Sequence, residues 1–437
     1  MRRIFRLALV RRFITSLREE GVGEALRKTR TYLAMRFRNI APSALGNTAQ
    51  GKTSRDHEYL HGIWQVLARD EAFHIVETPG IVRGRRQIAM IGDLNLPQCR
   101  KYRVEQLAAF WRARDVEFEY AHYQDVPRAS RIMQQATHLM EYRLQTMPVA
   151  EMLRYEARRL RLPVLYDLDD PLFSVSAYET YGNMKAVGPE LKAHFLSEAP
   201  KYLSMMNGAD ILSVSTPGLA EHTALYSSRP VFVRRNFADK ETLEAGHAAM
   251  DMRPASDGLF RVAFASGSQG HEVDLAEILE PLTDFITADP NRRLMLIGHF
   301  DPDHLPEELV DQVEEVKFST YDRYLASLAK ADCTVLPLCD DIFNRCKSAV
   351  RVIDAASVGV PSITGTVGDL KNVVRDGETG FVAQTKDDWV AALETLSSDA
   401  NKSRQMGQAA RRDLETRWSG SDAPHIIAPE LLNWVKS

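Results

Sequence analysis

The stretch from Lys347 to Val382 limits what this chain can fold into more than any other segment. A short polar segment, Lys347-Ser348, leads into a helical pattern starting at Ser348 and carrying a single acid, Asp354. That helix stops at Gly359-Val360-Pro361, because glycine readily takes the left-handed turn past a helix end and proline cannot continue the helix. A short apolar strand, Ser362-Ile363-Thr364, comes next, followed by a turn with two glycines, Gly377-Glu378-Thr379-Gly380-Phe381-Val382. A helix entered from a polar loop and left through a strand belongs to a layered α/β arrangement. Its free N-terminal N–H groups, with Lys347 and Arg351 four residues apart on one face, suit a bound anion such as a diphosphate.

The rest of the chain alternates in the same style. Apolar runs at Gln87–Ile91, Val116–Tyr120, Pro163–Tyr166, Ala209–Val214 and Val231–Val233 read as strands separated by amphipathic helices, one of them over 148–161. A second alternation begins at Phe260, with strands at Phe260–Ala265, Arg293–Ile297, Val316–Phe318, Cys333–Leu336 and Pro361–Thr364. Helices are expected around 273–287, 321–330 and 348–358, then near 386–398, 400–417 and 427–436. Ala238 to Gly258 reads as the interdomain connection. The predicted organisation is α/β with two domains: a helical extension and linker over 1–80, a first sheet domain over 81–245, a second over 258–420, and a terminal helix over 421–437 that folds back on the first.

Charge is unevenly spread. Residues 1–40 hold eleven Lys/Arg and three acids, a local charge of +8, whereas the whole chain is −4 and the remainder −12. Phe5, Leu9, Phe13 and Leu17 recur at helical spacing among the arginines, and Gly21 and Gly23 are expected to break the helix. Residues 1–38 read either as an interfacial helix on an anionic membrane surface or as a helical hairpin packed on protein. No apolar run approaches the ~20 residues that span a bilayer. The four cysteines show no CxxC spacing and the twelve histidines no HExxH, so a reduced, cytoplasmic chain with no metal site is expected. Nothing in the charge pattern calls for nucleic acid.

The C-terminal half resembles the GT-B glycosyltransferases, in particular the large retaining family 4 (glycosyl transferases group 1, bacterial polysaccharide type). Four strings carry the likeness: Ile353-Asp354-Ala355-Ala356-Ser357-Val358-Gly359-Val360-Pro361; Gly377 to Val382; Tyr324-Leu325 through Ala331-Asp332-Cys333-Thr334-Val335-Leu336-Pro337; and Met406-Gly407 through Ala410-Arg411. The resemblance covers roughly 86–437. It implies two Rossmann-like domains, with a nucleotide diphosphate-sugar as co-substrate on the second, an acceptor on the first, and no other cofactor. Two departures stand out. The family's two glutamates, eight positions apart, are here Cys346 and Asp354, and its Arg/Lys pair after the first strand of the second domain is replaced by Ser266-Gly267-Ser268-Gln269-Gly270-His271.

Candidate site residues follow. Lys347, Ser348 and Arg351 are expected at the donor diphosphate, with a capped, solvated helix start as the plain alternative. The resemblance places Asp354 on the ribose. Ser266, Gly267 and His271 form either a second phosphate-facing loop or an ordinary strand-to-helix turn. Asp169 and Asp170 follow a parallel strand, where carboxylates face the ligand crevice. They read as catalytic groups orienting or deprotonating an acceptor hydroxyl, or as caps of the turn at Pro171. Arg100, Lys101 and Arg103 are candidates for acceptor phosphates, such as those of a lipid-linked glycan, or a solvated helix start. The implied activity is a hexosyltransferase-type transfer to a glycan in cell-surface polysaccharide assembly, at the inner face of the membrane. The alternatives are a non-catalytic GT-B scaffold that binds glycan or nucleotide, which Cys346 favours, and a sugar-nucleotide epimerase.

Overall fold

A computed structural model describes residues 84–267, 270–300 and 305–436, together with Val22, Leu26 and Thr29. Met1–Asp70 and Glu71–Ser437 are separate units. The amphipathic pattern over 1–38 and its membrane expectation lie outside the described residues, apart from those three positions. Val22 is helical, and the break expected at Gly21 and Gly23 lies outside the described residues.

Two six-stranded parallel sheets form the body. The first comprises β1 (Arg86–Gly92), β2 (Val116–His122), β3 (His138–Tyr142), β4 (Val164–Leu168), β5 (Ile211–Val214) and β6 (Val231–Val233), in the order β2-β1-β3-β4-β5-β6. The second comprises β7 (Phe260–Ser266), β8 (Arg292–Gly298), β9 (Val313–Lys317), β10 (Cys333–Leu336), β11 (Ser362–Thr364) and β12 (Gly380–Val382), in the order β12-β11-β10-β7-β8-β9. Every pairing is parallel, with β1 bonded to both β2 and β3, and β7 to both β8 and β10. Strand order therefore reverses at β1/β3 and at β7/β10, and the loops leaving those strands open the crevices where α/β sheets bind ligands.

Several elements depart from the sequence expectations: the helix expected over 273–287 is two, Glu272–Ala276 and Leu279–Thr287, and the strand expected at Val316–Phe318 runs instead over Val313–Lys317. β3 and β12 are strands that the apolar pattern did not announce. Lys240–Asp251, expected as linker, is a helix whose Ala249 and Met250 pack into the core of the second domain. Its Gly246 lies so close to Ser357 that an added Cβ would meet the Ser357 carbonyl oxygen at 2.2 Å. The chain crosses between domains at residues 234–239 and returns after Trp418. There the Arg235 amide donates to the Ile426 carbonyl and the Ala428 amide to that of Val233. The helix Pro429–Lys436 places Trp434 against His138 of β3.

The Gly-x-Pro stop has a packing reason. Gly359 has φ +66, and a Cβ on Gly407, in the helix Ala400–Arg417, would come within 1.9 Å of the Gly359 carbonyl oxygen. The Gly359 and Gly407 strings are thus two halves of one close backbone contact: Gly407 has no room for a side chain, and Gly359 is kept as glycine by its positive φ.

Candidate functional site

The loops leaving the two switch points face each other and are joined by side chains from both domains. After β3 comes Arg143, with φ +51; after β4 come Asp169 and Asp170. Arg143 donates through Nε to Asp169 Oδ1 (2.5 Å) and through Nη2 to Asp170 Oδ2 (2.6 Å), while the Tyr142 hydroxyl donates to Asp169 Oδ2 at 3.1 Å. Across the crevice, Lys347 Nζ reaches Asp170 Oδ1 at 3.4 Å and lies 4.7 Å from the centre of the Phe343 ring. Burial would push the Asp170 carboxyl up, but Lys347 and Arg143 outweigh it and hold the carboxyl below its ordinary range. It is ionised at neutral pH and a weak base, so it can orient a hydroxyl better than it can take its proton. Burial disfavours the Lys347 ammonium, yet Asp170 more than compensates and raises its pKa.

The helix Val350–Ser357 begins two residues later than its sequence suggests and has Ala349 at its N-cap, without a side-chain cap. Ser348 lies just before it and accepts from Asn236 Nδ2 at 3.1 Å. Arg351 reaches back to the Ala265 carbonyl at 3.3 Å, at the end of β7. Ser266 is buried, and beside it Gly267 is exposed with open space where a side chain would stand. His271 is buried and bonded through Nδ1 to Asp274 Oδ2 at 2.8 Å. Burial lowers the His271 pKa despite that bond, which leaves a neutral imidazole. Lys347, Ser348, Arg351 and the β7 loop therefore converge at the β7/β10 switch point.

Asp354 lies deeper. It is buried and accepts from the hydroxyls of Tyr102 (2.5 Å), in the first domain, and Tyr321 (2.8 Å), in the second. Burial raises its pKa to about 6 against those hydrogen bonds. A carboxyl raised on folding holds its proton more tightly folded than unfolded. Its contribution is full below the ordinary 3.8 and is lost as pH rises through about 6, a change of about 3 kcal/mol. Asp354→Asn keeps an acceptor for the tyrosines and removes the ionisation, so the variant is expected to gain stability over wild type at pH 8 and to match it near pH 4. Urea denaturation across that range checks this, and an unchanged difference at both ends would refute it.

The basic cluster of the first domain divides. Arg100 pairs with Glu105 at 2.7 Å and bonds the Tyr120 hydroxyl at 3.3 Å. Lys101 is mostly buried, 4.3 Å from the centre of the Tyr321 ring and 3.8 Å from Glu241. Arg103 is 0% exposed and turned inward: it grips Asp167 with Nε (2.9 Å) and Nη2 (2.6 Å), and Nη1 donates to the Arg234 carbonyl at 2.7 Å. All three of its nitrogens are engaged inside the domain, so none reaches an acceptor. Cys346 is also enclosed. Its carbonyl accepts from Thr216 at 2.9 Å, and burial raises its thiol to about 12.

Sequence reading missed Arg143, Asn183, Asp274 and Asn344. Arg143 and Asn183 belong to the first domain, and Asn183 bonds Asp274 across the crevice. The close seating of Asn183 against Gly270 shows in that glycine's φ of +97 and in the 3.1 Å a Cβ there would leave to the Asn183 carbonyl. The only available signal was the i, i+3 spacing of His271 and Asp274 on one helix face.

Residues 263–399, most of the second domain, match the family model described as glycosyl transferases group 1. The D-inositol 3-phosphate glycosyltransferase of Nocardia farcinica is 26% identical over 148 residues, 30% of this chain and 32% of that protein. Its counterpart from Corynebacterium aurimucosum is 25% identical over 147 residues, 30% of this chain and 34% of that protein. The matches thus span about a third of the length of these curated relatives. Among solved structures, a glycosyltransferase from Rickettsia africae superposes with a TM-score of 0.54 at 9% identity, and sucrose-phosphate synthase from Thermosynechococcus elongatus with 0.51 at 14%. Each covers 80% of this chain and 98% of the other. What they share with this chain is the two-domain GT-B fold.

Proposed function

We propose that this chain, a GT-B protein whose residues 263–399 belong to the glycosyl transferases group 1 family, moves a sugar from a nucleotide diphosphate-sugar to a hydroxyl of a glycan. The observation that carries the reading is the convergence of Lys347, Arg351 and the start of Val350–Ser357 on the β7/β10 switch point. Two cations and free backbone N–H groups there suit the charge that develops on a departing diphosphate.

In the proposed reaction the bond from the sugar's anomeric carbon to the phosphate oxygen breaks and the acceptor oxygen bonds to that carbon. The acceptor proton passes to the leaving diphosphate, so no protein nucleophile is required and configuration is retained. Asp170, ionised and weakly basic, orients the acceptor, and closing the crevice excludes water. Cell-surface polysaccharide assembly at the inner face of the membrane is the setting we propose, with a lipid-linked glycan as acceptor.

Thermal melting with GDP, UDP, dTDP and their sugars tests the reading. Binding to the folded state at a hundred times Kd adds about 2.7 kcal/mol. One nucleotide and its sugars are expected to raise Tm, and no response to any at millimolar concentration would sink the proposal. A non-catalytic binding scaffold draws on the enclosed Cys346 and on the bridges Asp170–Lys347 and Tyr102–Asp354, which already occupy donor-site groups. That reading is favoured instead if nucleotide binds while no transfer or hydrolysis follows.

A further inference from the structure

Asp274 gathers a polar cluster from both domains in which two acceptors are left over. Its Oδ2 accepts from His271 Nδ1 (2.8 Å) and Asn183 Nδ2 (3.0 Å). Its Oδ1 accepts from Asn344 Nδ2 (3.0 Å) and the Cys339 amide (3.1 Å). Asn344 Nδ2 also donates to Asp341 Oδ2 at 3.1 Å, and Asn183 Nδ2 to the Tyr181 hydroxyl at 2.9 Å. Burial would raise the Asp274 carboxyl, but the His271 bond and the others hold it down to about 2.

These contacts fix both amide orientations, because turning either amide over would set its carbonyl oxygen against an anion. Each side-chain oxygen therefore points away from the Asp274 carboxylate. Asn183 is 2% exposed and Asn344 0%, and Oδ1 of each is buried without a hydrogen-bond partner. Such an acceptor costs about 1–3 kcal/mol, and folded proteins keep few of them. Here two flank a single carboxylate, one from each domain.

The chemistry narrows what would satisfy them. An amide oxygen needs an O–H or N–H donor, and a diphosphate offers only acceptors. Ionised Asp274 next to the cluster also disfavours an anion. The diphosphate belongs with Lys347 and Arg351, and the cluster suits a neutral, hydroxyl-rich group beside it. Cys346, four residues before Val350, is enclosed and offers no carboxylate to such hydroxyls.

Resting on the nucleotide-sugar reading above, we propose that Asn183 Oδ1 and Asn344 Oδ1, oriented by Asp274, receive hydroxyl groups of the transferred sugar. The sugar site is then complete only when the domains meet, since Asn183 comes from the first domain and Asn344 from the second.

Calorimetric titration of the full chain with a nucleoside diphosphate and with the matching nucleotide sugar (UDP and UDP-glucose, then the GDP and dTDP pairs) tests this. The readout is the ratio of the nucleotide-sugar Kd to the diphosphate Kd. Asn344→Ala is expected to raise that ratio about tenfold, the loss of one hydrogen bond, while the diphosphate Kd stays within about twofold. An unchanged ratio means that the amides meet only water, and an equal loss for both ligands means a structural role; either result overturns the proposal. Should Asn344→Ala fail to fold, Asn183→Gln, which keeps the amide but displaces its oxygen by one methylene, reads the same ratio. Absence of any nucleotide binding to wild type would refute the nucleotide reading itself, and this proposal with it.

Discussion

Asp167→Ala is expected to lower the stability of the folded chain by about 4 kcal/mol, the effect of removing one partner of a buried ion pair, and to lower Tm by about 10 °C. Asp167 and Arg103 are both 0% exposed, and Arg234, 2% exposed, lies 3.4 Å from the same carboxylate. Burial already drags the Arg234 guanidinium down to about 9, with Arg103 next to it adding repulsion. Taking away Asp167 leaves two guanidinium groups in the interior with no counter-charge. Arg103→Ala removes one cation and leaves Arg234 with Asp167, so its cost is expected to be smaller. Equilibrium denaturation of both variants checks the order. A loss below about 1 kcal/mol for Asp167→Ala would show that water reaches the cluster. The cluster ties the first helical segment to the end of β4 and to the interdomain crossing, so partial unfolding of the first domain would also loosen the crevice.

Lys347→Met is expected to weaken nucleoside diphosphate binding about 50-fold, or ~2.3 kcal/mol, the range of one hydrogen bond to a charged group. Methionine keeps the stem between Phe343 and Tyr181, whose ring centres lie 4.7 and 5.8 Å from Nζ, so the loss reports charge rather than packing. Asp170→Asn is expected to act in the opposite direction on binding. Asp170 competes with the diphosphate for Lys347, and neutralising it is expected to tighten the nucleotide Kd several-fold while lowering kcat through loss of acceptor orientation. Calorimetry with radiolabelled transfer assays separates the two. If both substitutions weaken binding alike, Lys347 and Asp170 serve only as an interdomain tie. Because Asp170 is held below its ordinary range, the tie is full above pH 3.8 and is lost as pH falls through its folded value.

Much of the fold was legible in the chain, for local reasons. Ten of the strands lie where apolar runs are bounded by turn residues, and the helices Lys386–Ser398 and Ala400–Arg417 lie over the expected 386–398 and 400–417, each started by a side-chain N-cap, Thr385 and Asp399. β3 was missed because His138-Leu139-Met140-Glu141-Tyr142 contains no β-branched residue and carries an acid that Arg154 neutralises only in the folded state. Lys240–Asp251 was missed because Pro254 and Ser256-Asp257-Gly258 give the whole stretch from Ala238 the look of a linker; Gly246 inside it lets two backbones touch.

The candidate site was legible in one half only. Lys347, Ser348, Arg351 and Asp354 lie within eight residues, and a helix start with a stop behind it is a local pattern. Their partners have no local signature. Arg103 meets Asp167 64 residues away, Asn183 meets Asp274 across 91, and Tyr102 meets Asp354 across 252. Which charge finds which depends on which strand ends the sheet order brings together. By itself, then, the sequence determined two parallel α/β domains and an anion-ready helix start, because backbone periodicity and glycine conformation act over a few residues. Only the tertiary structure decided that Arg103 is structural, that Asp170 faces Lys347, and that two asparagine oxygens are left waiting beside Asp274. Burial and pairing are properties of the assembled crevice, not of any segment that forms it.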